Sequence, residues 1–184
     1  IPKNEAIIVV AKGNFHGRTL TAISMSNDPG ARENFGPFVP GIEWVQFNNF
    51  DELKSLFESK GDKIASFLAE PIQGEAGVIV PEDEYWPRVR KLCDEYNILL
   101  SFDEVQTGFG RVGNNFWGFE EHGVVPDIVT LGKPMGNGHP IAAVVTTKEI
   151  ANVFNNGMEY FNSFGGNPVS CSVGNAVLDV IENE

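Results

Sequence analysis

Short, uninterrupted apolar runs alternate along this chain with stretches of helical period. Residues 6–11 (AIIVVA), 42–47 (IEWVQF), 64–69 (IASFLA), 98–102 (ILLSF), 128–131 (IVTL) and 142–146 (AAVVT) are brief and rich in β-branched residues. They carry apolar side chains at both parities, as strands buried on both faces of a parallel sheet do. Between them, residues 51–60 set Leu53, Leu56 and Phe57 on one helical face behind an acidic N-cap candidate, Asp51. Residues 83–96 repeat Trp86, Val89, Leu92, Cys93 and Tyr96 at helical spacing, with Pro87 tolerable only in the first turn. Residues 148–154 predict a short helix and 167–184 a long one. Strands alternating with helices predict an α/β layered fold with a mostly parallel sheet. Two stretches break the rhythm. Residues 27–41, with Gly30, Pro37, Pro40 and Gly41, read as a long surface loop, and residues 107–122 (TGFGRVGNNFWGFEEH) as a structured excursion. Loops of that length in a compact domain are usually functional.

Composition agrees with a soluble globular chain: 184 residues, 42% hydrophobic and 21% charged, with no low-complexity run or domain linker. The formal net charge of -12 changes the list of partners. So acidic a chain is repelled by phosphate backbones and anionic lipid surfaces, which argues against nucleic acid and membrane. Any anionic ligand must be held by a local device such as a placed arginine. Cys93 and Cys171 read as two buried free thiols in a reducing compartment. There is no apolar stretch of membrane-spanning length and no signal-peptide pattern. No cluster has metal-ligand spacing, so no metal is expected, and His16, His122 and His139 read as structural. The chain opens Ile1-Pro-Lys without a Met and closes inside a helical pattern, so both ends are expected to be internal to a longer polypeptide.

Three features stand at strand ends, where α/β proteins place ligands. They are Glu70-Pro-Ile-Gln-Gly-Glu75-Ala-Gly77, Ser101-Phe-Asp103-Glu104-Val105-Gln106-Thr-Gly108 and Leu131-Gly132-Lys133-Pro134. Each alone has an ordinary reading, as a helix cap or a solvated loop lysine. Together they are less ordinary. Asp103 and Lys133 lie 30 residues apart, about one crossover unit, each at the C-terminal end of a buried strand. A carboxylate and an amine facing one crevice suit a pyridine aldehyde cofactor. The amine forms a Schiff base with the aldehyde, and the carboxylate keeps the ring nitrogen protonated so that the ring accepts electrons.

The blocks Asn14-Phe-His-Gly-Arg18-Thr, Glu70-Pro-Ile-Gln-Gly-Glu75, Phe102-Asp-Glu-Val-Gln-Thr-Gly-Phe-Gly-Arg111, Pro126-Asp-Ile-Val-Thr-Leu-Gly-Lys133 and Phe164-Gly-Gly-Asn-Pro168 resemble class III aminotransferases in order and spacing. The resemblance implies a three-layer α/β/α domain, the large cofactor domain of a fold-type I pyridoxal-phosphate enzyme. It implies that Lys133 holds pyridoxal 5'-phosphate and then shuttles a proton, and that Asp103 pairs with the pyridine nitrogen. Phe15 would stack on one ring face, Val105 would pack on the other, and Gln106 would lie near the ring hydroxyl. Ser163, where many relatives have Thr, would bind the cofactor phosphate of a neighbouring subunit, which implies a homodimer. Arg18 matches an arginine that binds a substrate carboxylate in relatives handling ω-amino acids. Glu75 matches a glutamate that masks a second substrate-binding arginine.

The first half, through EPIQGEAGVIVP, is most similar to ornithine and acetylornithine aminotransferases. From Gln106 on, the chain is more similar to the ethanolamine-phosphate phospho-lyase and alanine–glyoxylate aminotransferase 2 branch. Transfer between an amino acid and 2-oxoglutarate is the favoured expectation, because Arg18 and Glu75 suit it. Phosphate elimination from an amino-alcohol phosphate is the alternative. A third reading is a non-catalytic α/β module in which Lys133 and Asp103 form only a structural ion pair. The resemblance makes residues 1–184 the central part of the large domain, with the cofactor phosphate loop and the C-terminal small domain outside them. Such a piece is expected to be a poor catalyst by itself. The expected compartment is the cytoplasm, with the mitochondrial matrix compatible.

Overall fold

The computed structural model describes residues 1–157 and 160–183. Its centre is a six-stranded sheet of β1 (Ile7–Ala11), β2 (Ile42–Val45), β3 (Ile64–Ala69), β4 (Leu99–Asp103), β5 (Ile128–Leu131) and β6 (Ala143–Thr146), in the order β2-β1-β3-β4-β5-β6. The first five strands are parallel and β6 runs antiparallel to β5. This is the mostly parallel α/β sheet that the apolar runs predict. Strand order reverses between β1 and β3, so the loops leaving their C-terminal ends diverge and open a crevice there.

One face of the sheet carries the main core. Val9, Phe67, Ala69, Leu100 and Phe102 alternate inward from β1, β3 and β4. They meet Leu53 and Phe57 of α3 (Phe50–Lys60) and Trp86, Val89, Leu92 and Cys93 of α4 (Tyr85–Tyr96). Trp86 is fully buried, its ring 4.6 Å from that of Phe102, and its indole N–H donates to the Pro71 carbonyl at 2.9 Å. An indole buries well only when that N–H finds an acceptor. Here the acceptor ties α4 to the segment leaving β3. The opposite face is more polar near the site, with Ser66 and Ser101 hydroxyls 2.8 Å apart across β3 and β4.

The elements differ from expectation in instructive places. Asn49, not Asp51, caps α3, its side chain accepting from the Glu52 N–H, while Asp51 sits in the first turn. The expected strand 98–102 is shifted by one, so Asp103 is itself the last strand residue. The expected loop 27–41 contains α2 (Pro29–Arg32), capped by Asp28. Just before it, α1 (Leu20–Met25) has no counterpart in the apolar pattern. Six residues are too few to show a helical period; its start is set by the Thr19 hydroxyl accepting from the Ala22 N–H. The excursion 107–122 ends in a 3₁₀ turn, Gly118–His122.

Beyond β6 lie α5 (Lys148–Phe154) and α6 (Pro168–Asn183). Met158, Glu159 and Glu184, part of the expected segments, lie outside the described residues. Cys93 is a buried free thiol as expected, and burial pushes it up to about 12. Cys171 is a correction: it is free but exposed, because Gly174 is the only described residue of α6 that is buried. No described helix is long and apolar enough to cross a membrane.

Candidate active site

Four neighbouring strands, β1, β3, β4 and β5, deliver their C-terminal ends to one crevice, and each brings a functional group. After β1 the chain is turned by Asn14, whose amide donates to the carbonyls of Ala11 at 2.6 Å and Met25 at 2.9 Å. Gly13, at φ +80, donates its N–H to the Asn27 side chain at 2.7 Å, and Gln73 donates to the Lys12 carbonyl at 2.9 Å. This turn presents the Phe15 ring, half-buried, toward the crevice. The Phe15 N–H donates to a carboxylate oxygen of Glu70, the first residue after β3, at 3.2 Å.

Asp103 ends β4. One of its oxygens accepts the Val105 N–H at 3.0 Å, and the other lies 2.8 Å from Nδ1 of His16. Each oxygen keeps a free lone pair for a further donor. Lys133 follows β5 through Gly132. Its φ of +25 is a conformation that L-residues rarely adopt, a strain of about 1–3 kcal/mol that tends to collect at functional sites. Its exposed amine stands 5.8 Å from the centroid of Phe15, and the Arg18 guanidinium 5.2 Å from the same ring. Val105 packs against the backbone beside the lysine: a Cβ on Gly132 would sit 3.4 Å from both Val105 methyls. Lys133, Val105 and Gln106 line a shallow cavity of about 330 Å³ together with Arg111, Pro134, Asn137 and Gly138. Gln106 also packs on the turn before Glu75, since a Cβ on Gly74 would meet its amide oxygen at 3.0 Å. Glu75 lies with Phe15 and His16 on a second cavity of about 320 Å³.

The fold therefore sets Val105, Gln106 and Lys133 on one cavity and Phe15 and Glu75 on another, with Arg18 and Lys133 both near the Phe15 ring and Asp103 on the adjacent His16. Ser163 is exposed in the segment before α6 and lines neither cavity. His16, read from sequence as structural, lies directly on Asp103; a lone histidine in Phe-His-Gly carries no spacing signal that could have announced it. Glu70 is 3% exposed, and burial pushes its carboxyl up to about 7, opposed by His16 and the Phe15 N–H and reinforced by the Asp103 charge. Glu104, fully buried, accepts from the Thr107 hydroxyl at 2.6 Å and from the N–H groups of Gly118 and Phe119, both at 2.9 Å. It clamps the excursion 107–122 to the strand end that carries Asp103. Burial raises its carboxyl above the ordinary range, against the pull of these three donors.

With this geometry in view, comparison with known proteins is direct. The family model described as aminotransferase class-III matches residues 2–184. The ornithine aminotransferase of Oceanobacillus iheyensis is 48% identical over 185 residues, covering 100% of this chain and 45% of that protein. The mitochondrial ornithine aminotransferase of Arabidopsis thaliana is 49% identical over 186 residues, covering 100% of this chain and 38% of that one. The crystal structure of ornithine aminotransferase from Toxoplasma gondii superposes with a TM-score of 0.94 at 38% identity, over 100% of this chain and 43% of that one. An (S)-enantioselective omega-transaminase from Thermomicrobium roseum gives 0.89 at 33% identity, over 96% and 44%. A second structure of the Toxoplasma enzyme reveals partial occupancy of pyridoxal phosphate (PLP) at its active site. The chain spans less than half the length of these relatives. On the match across residues 2–184 and these identities, the chain belongs to the class-III aminotransferase family.

Proposed function

We propose that residues 1–184 form the central part of the large domain of a pyridoxal-phosphate-dependent aminotransferase, whose phosphate-loop region and C-terminal small domain lie outside them. The reaction moves an amino group between an amino acid, ornithine or another ω-amino donor, and a 2-oxo acid such as 2-oxoglutarate. The observation that carries this reading is that consecutive residues of one turn meet both groups: His16 lies 2.8 Å from the Asp103 carboxylate and the Phe15 ring 5.8 Å from the Lys133 amine. These residues fit pyridoxal 5'-phosphate: a carboxylate with spare lone pairs for a ring nitrogen, an aromatic and a branched apolar side chain for ring faces, and a reachable amine for an aldehyde. When bound, that cofactor supplies a ring that accepts the electron pair released at the substrate carbon.

The protein's own groups then have distinct tasks. Asp103 would accept the hydrogen bond of a protonated ring nitrogen. Lys133 would hold the aldehyde through its amine and, when that amine is free, would move a proton at the substrate carbon. Phe15 and Val105 would pack on the two ring faces, and Gln106 would lie near the ring hydroxyl. Arg18 would offer a planar fork to a substrate carboxylate, and Glu75 would mask a second substrate-binding arginine. Ser163 serves the cofactor phosphate of a neighbouring subunit, so the working unit is a homodimer, in the cytoplasm or the mitochondrial matrix.

The names of the relatives support transfer, and phosphate elimination gains no support from them. The non-catalytic reading needed an ion pair between Lys133 and Asp103, whereas the side chain on the Asp103 carboxylate is His16, at 2.8 Å. The test is to add pyridoxal phosphate to the full-length protein that contains these residues, reduce with borohydride and map the modified lysine. Label at Lys133 is expected; label elsewhere, or none, refutes the assignment. An amine-acceptor screen with 2-oxoglutarate beside a phosphate-release assay then separates transfer from elimination.

A further inference from the structure

Lys133 sits at a φ of +25, and a residue in so rare a conformation keeps it only where its surroundings leave no alternative. From Lys133 the chain makes a 3₁₀ turn, Lys133–Gly136, closed by the Met135 N–H on the Gly132 carbonyl at 2.9 Å and the Asn137 N–H on the Pro134 carbonyl at 3.0 Å. Asn137 at φ +45 and Gly138 at φ +100 then reverse the chain, and the His139 N–H returns to the Gly136 carbonyl at 2.9 Å. These backbone bonds fix the shape of the turn. They do not fix where the turn stands relative to the crevice.

That placement comes from α6, through two side chains just past the turn. Ile141 is the apolar one: a Cβ on Gly136 would lie 2.7 Å from its Cγ2, and a Cβ on Gly174 of α6 3.3 Å from its Cδ1. His139 is the polar one, its Nε2 2.9 Å from the Ser170 hydroxyl in the first turn of α6. A hydroxyl both gives and takes a hydrogen, so this bond forms with either imidazole tautomer. Ser170 is itself held. Its N–H donates to the Asn167 side-chain oxygen at 2.9 Å, and the Asn167 amide nitrogen donates to the Ser170 hydroxyl at 3.0 Å and to the Phe164 carbonyl at 2.8 Å. The histidine thus ends on a fixed point rather than on a free surface hydroxyl.

We propose that His139 and Ser170 are positioning residues for the Lys133 amine, tying the strained lysine turn to α6 so that the amine keeps one place beside the Phe15 ring. This rests on the aminotransferase reading above. Ile141 against two glycines resists compression, but an apolar contact has no preferred direction and lets the turn slide along the helix. A hydrogen bond weakens steeply when its length or angle departs from the optimum, so it fixes the direction that the apolar contact leaves free. Proton movement at the substrate carbon is the step most sensitive to such sliding, because a small displacement of a reacting group costs rate without costing affinity. Neither His139 nor Ser170 lines the cavity of Lys133, so their effect reaches the chemistry only through the turn.

The test uses the full-length holoenzyme that contains these residues, with substrate deuterated at the carbon that loses its proton. Ser170→Ala and His139→Leu should each lower kcat about three- to tenfold with little change in KM, the worth of one ordinary hydrogen bond. Each should also raise the deuterium isotope effect on kcat, because proton movement becomes slower relative to the other steps. His139→Gln places an amide N–H near the Nε2 position and should return both values toward the wild type. The double variant should be no worse than the worse single one, since each exchange breaks the same bond. If His139→Leu does not fold, the decision falls on Ser170→Ala, which removes a single oxygen. An isotope effect unchanged in the folded variants, even where kcat falls, or losses that multiply in the double variant, overturn the proposal. Should borohydride fail to label Lys133 in the wild type, it is the aminotransferase reading that fails; label at Lys133 with kinetics indifferent to His139 and Ser170 refutes the positioning role alone.

Discussion

Glu104→Gln exchanges one buried oxygen for an NH₂ group and should cost the protein about 2–4 kcal/mol, because three donors converge on two carboxylate oxygens. Oε2 takes the Thr107 hydroxyl and the Gly118 N–H, and Oε1 takes the Phe119 N–H. An amide has only one acceptor oxygen. In its better orientation that oxygen keeps Thr107 and Gly118, and the NH₂ then faces the Phe119 N–H, donor to donor. Losing one hydrogen bond to a charged group costs about 1.5–3 kcal/mol, and the two survivors weaken as the charge is removed. Against this, the uncharged amide escapes the desolvation that raises the Glu104 carboxyl, which returns part of the loss. Relaxation is restricted, since Gly118 packs so tightly that a Cβ there would lie 2.8 Å from the Thr107 Cβ. Urea unfolding should show a lower midpoint at unchanged slope, and amide exchange should show Gly118 and Phe119 losing protection first. A loss below about 1 kcal/mol with the Phe119 amide still protected would refute this account of the clamp.

Two further outcomes follow from the same geometry. Trp86→Ala empties a fully buried site and orphans the Pro71 carbonyl, so about 3–5 kcal/mol should be lost in denaturant unfolding; a loss under about 1.5 kcal/mol would contradict its central place in the core. Glu70 adds a pH dependence whose sign can be worked out from its shift, from the ordinary 4.5 up to about 7. The folded state holds this proton more tightly than the unfolded chain. Its unfavourable effect is therefore absent below about pH 4.5, grows as pH rises, and is complete above about 7 at roughly 3 kcal/mol. Glu70→Gln should flatten that decline; parallel stability–pH curves for the two proteins would rule it out.

Much of this protein is readable along the chain. Strands β3 and β5 and helix α5 fall on the expected residues, because buried parallel strands need continuous apolar runs between polar turns and no distant partner alters that need. The positions of Asp103 and Lys133 at strand ends are also local facts. What the chain order could not carry was adjacency. The hydrogen bond between His16 and Asp103 joins residues 87 positions apart, and that from Phe15 to Glu70 joins residues 55 apart. Both exist only because β1, β3 and β4 are neighbours in the sheet. The exposure of Cys171, the reversed direction of β6 and the three donors on Glu104 are of the same kind. Periodicity states which side chains seek burial; only the packed sheet decides which polar groups are buried together, and the proton affinities of Glu70 and Glu104 follow from that company.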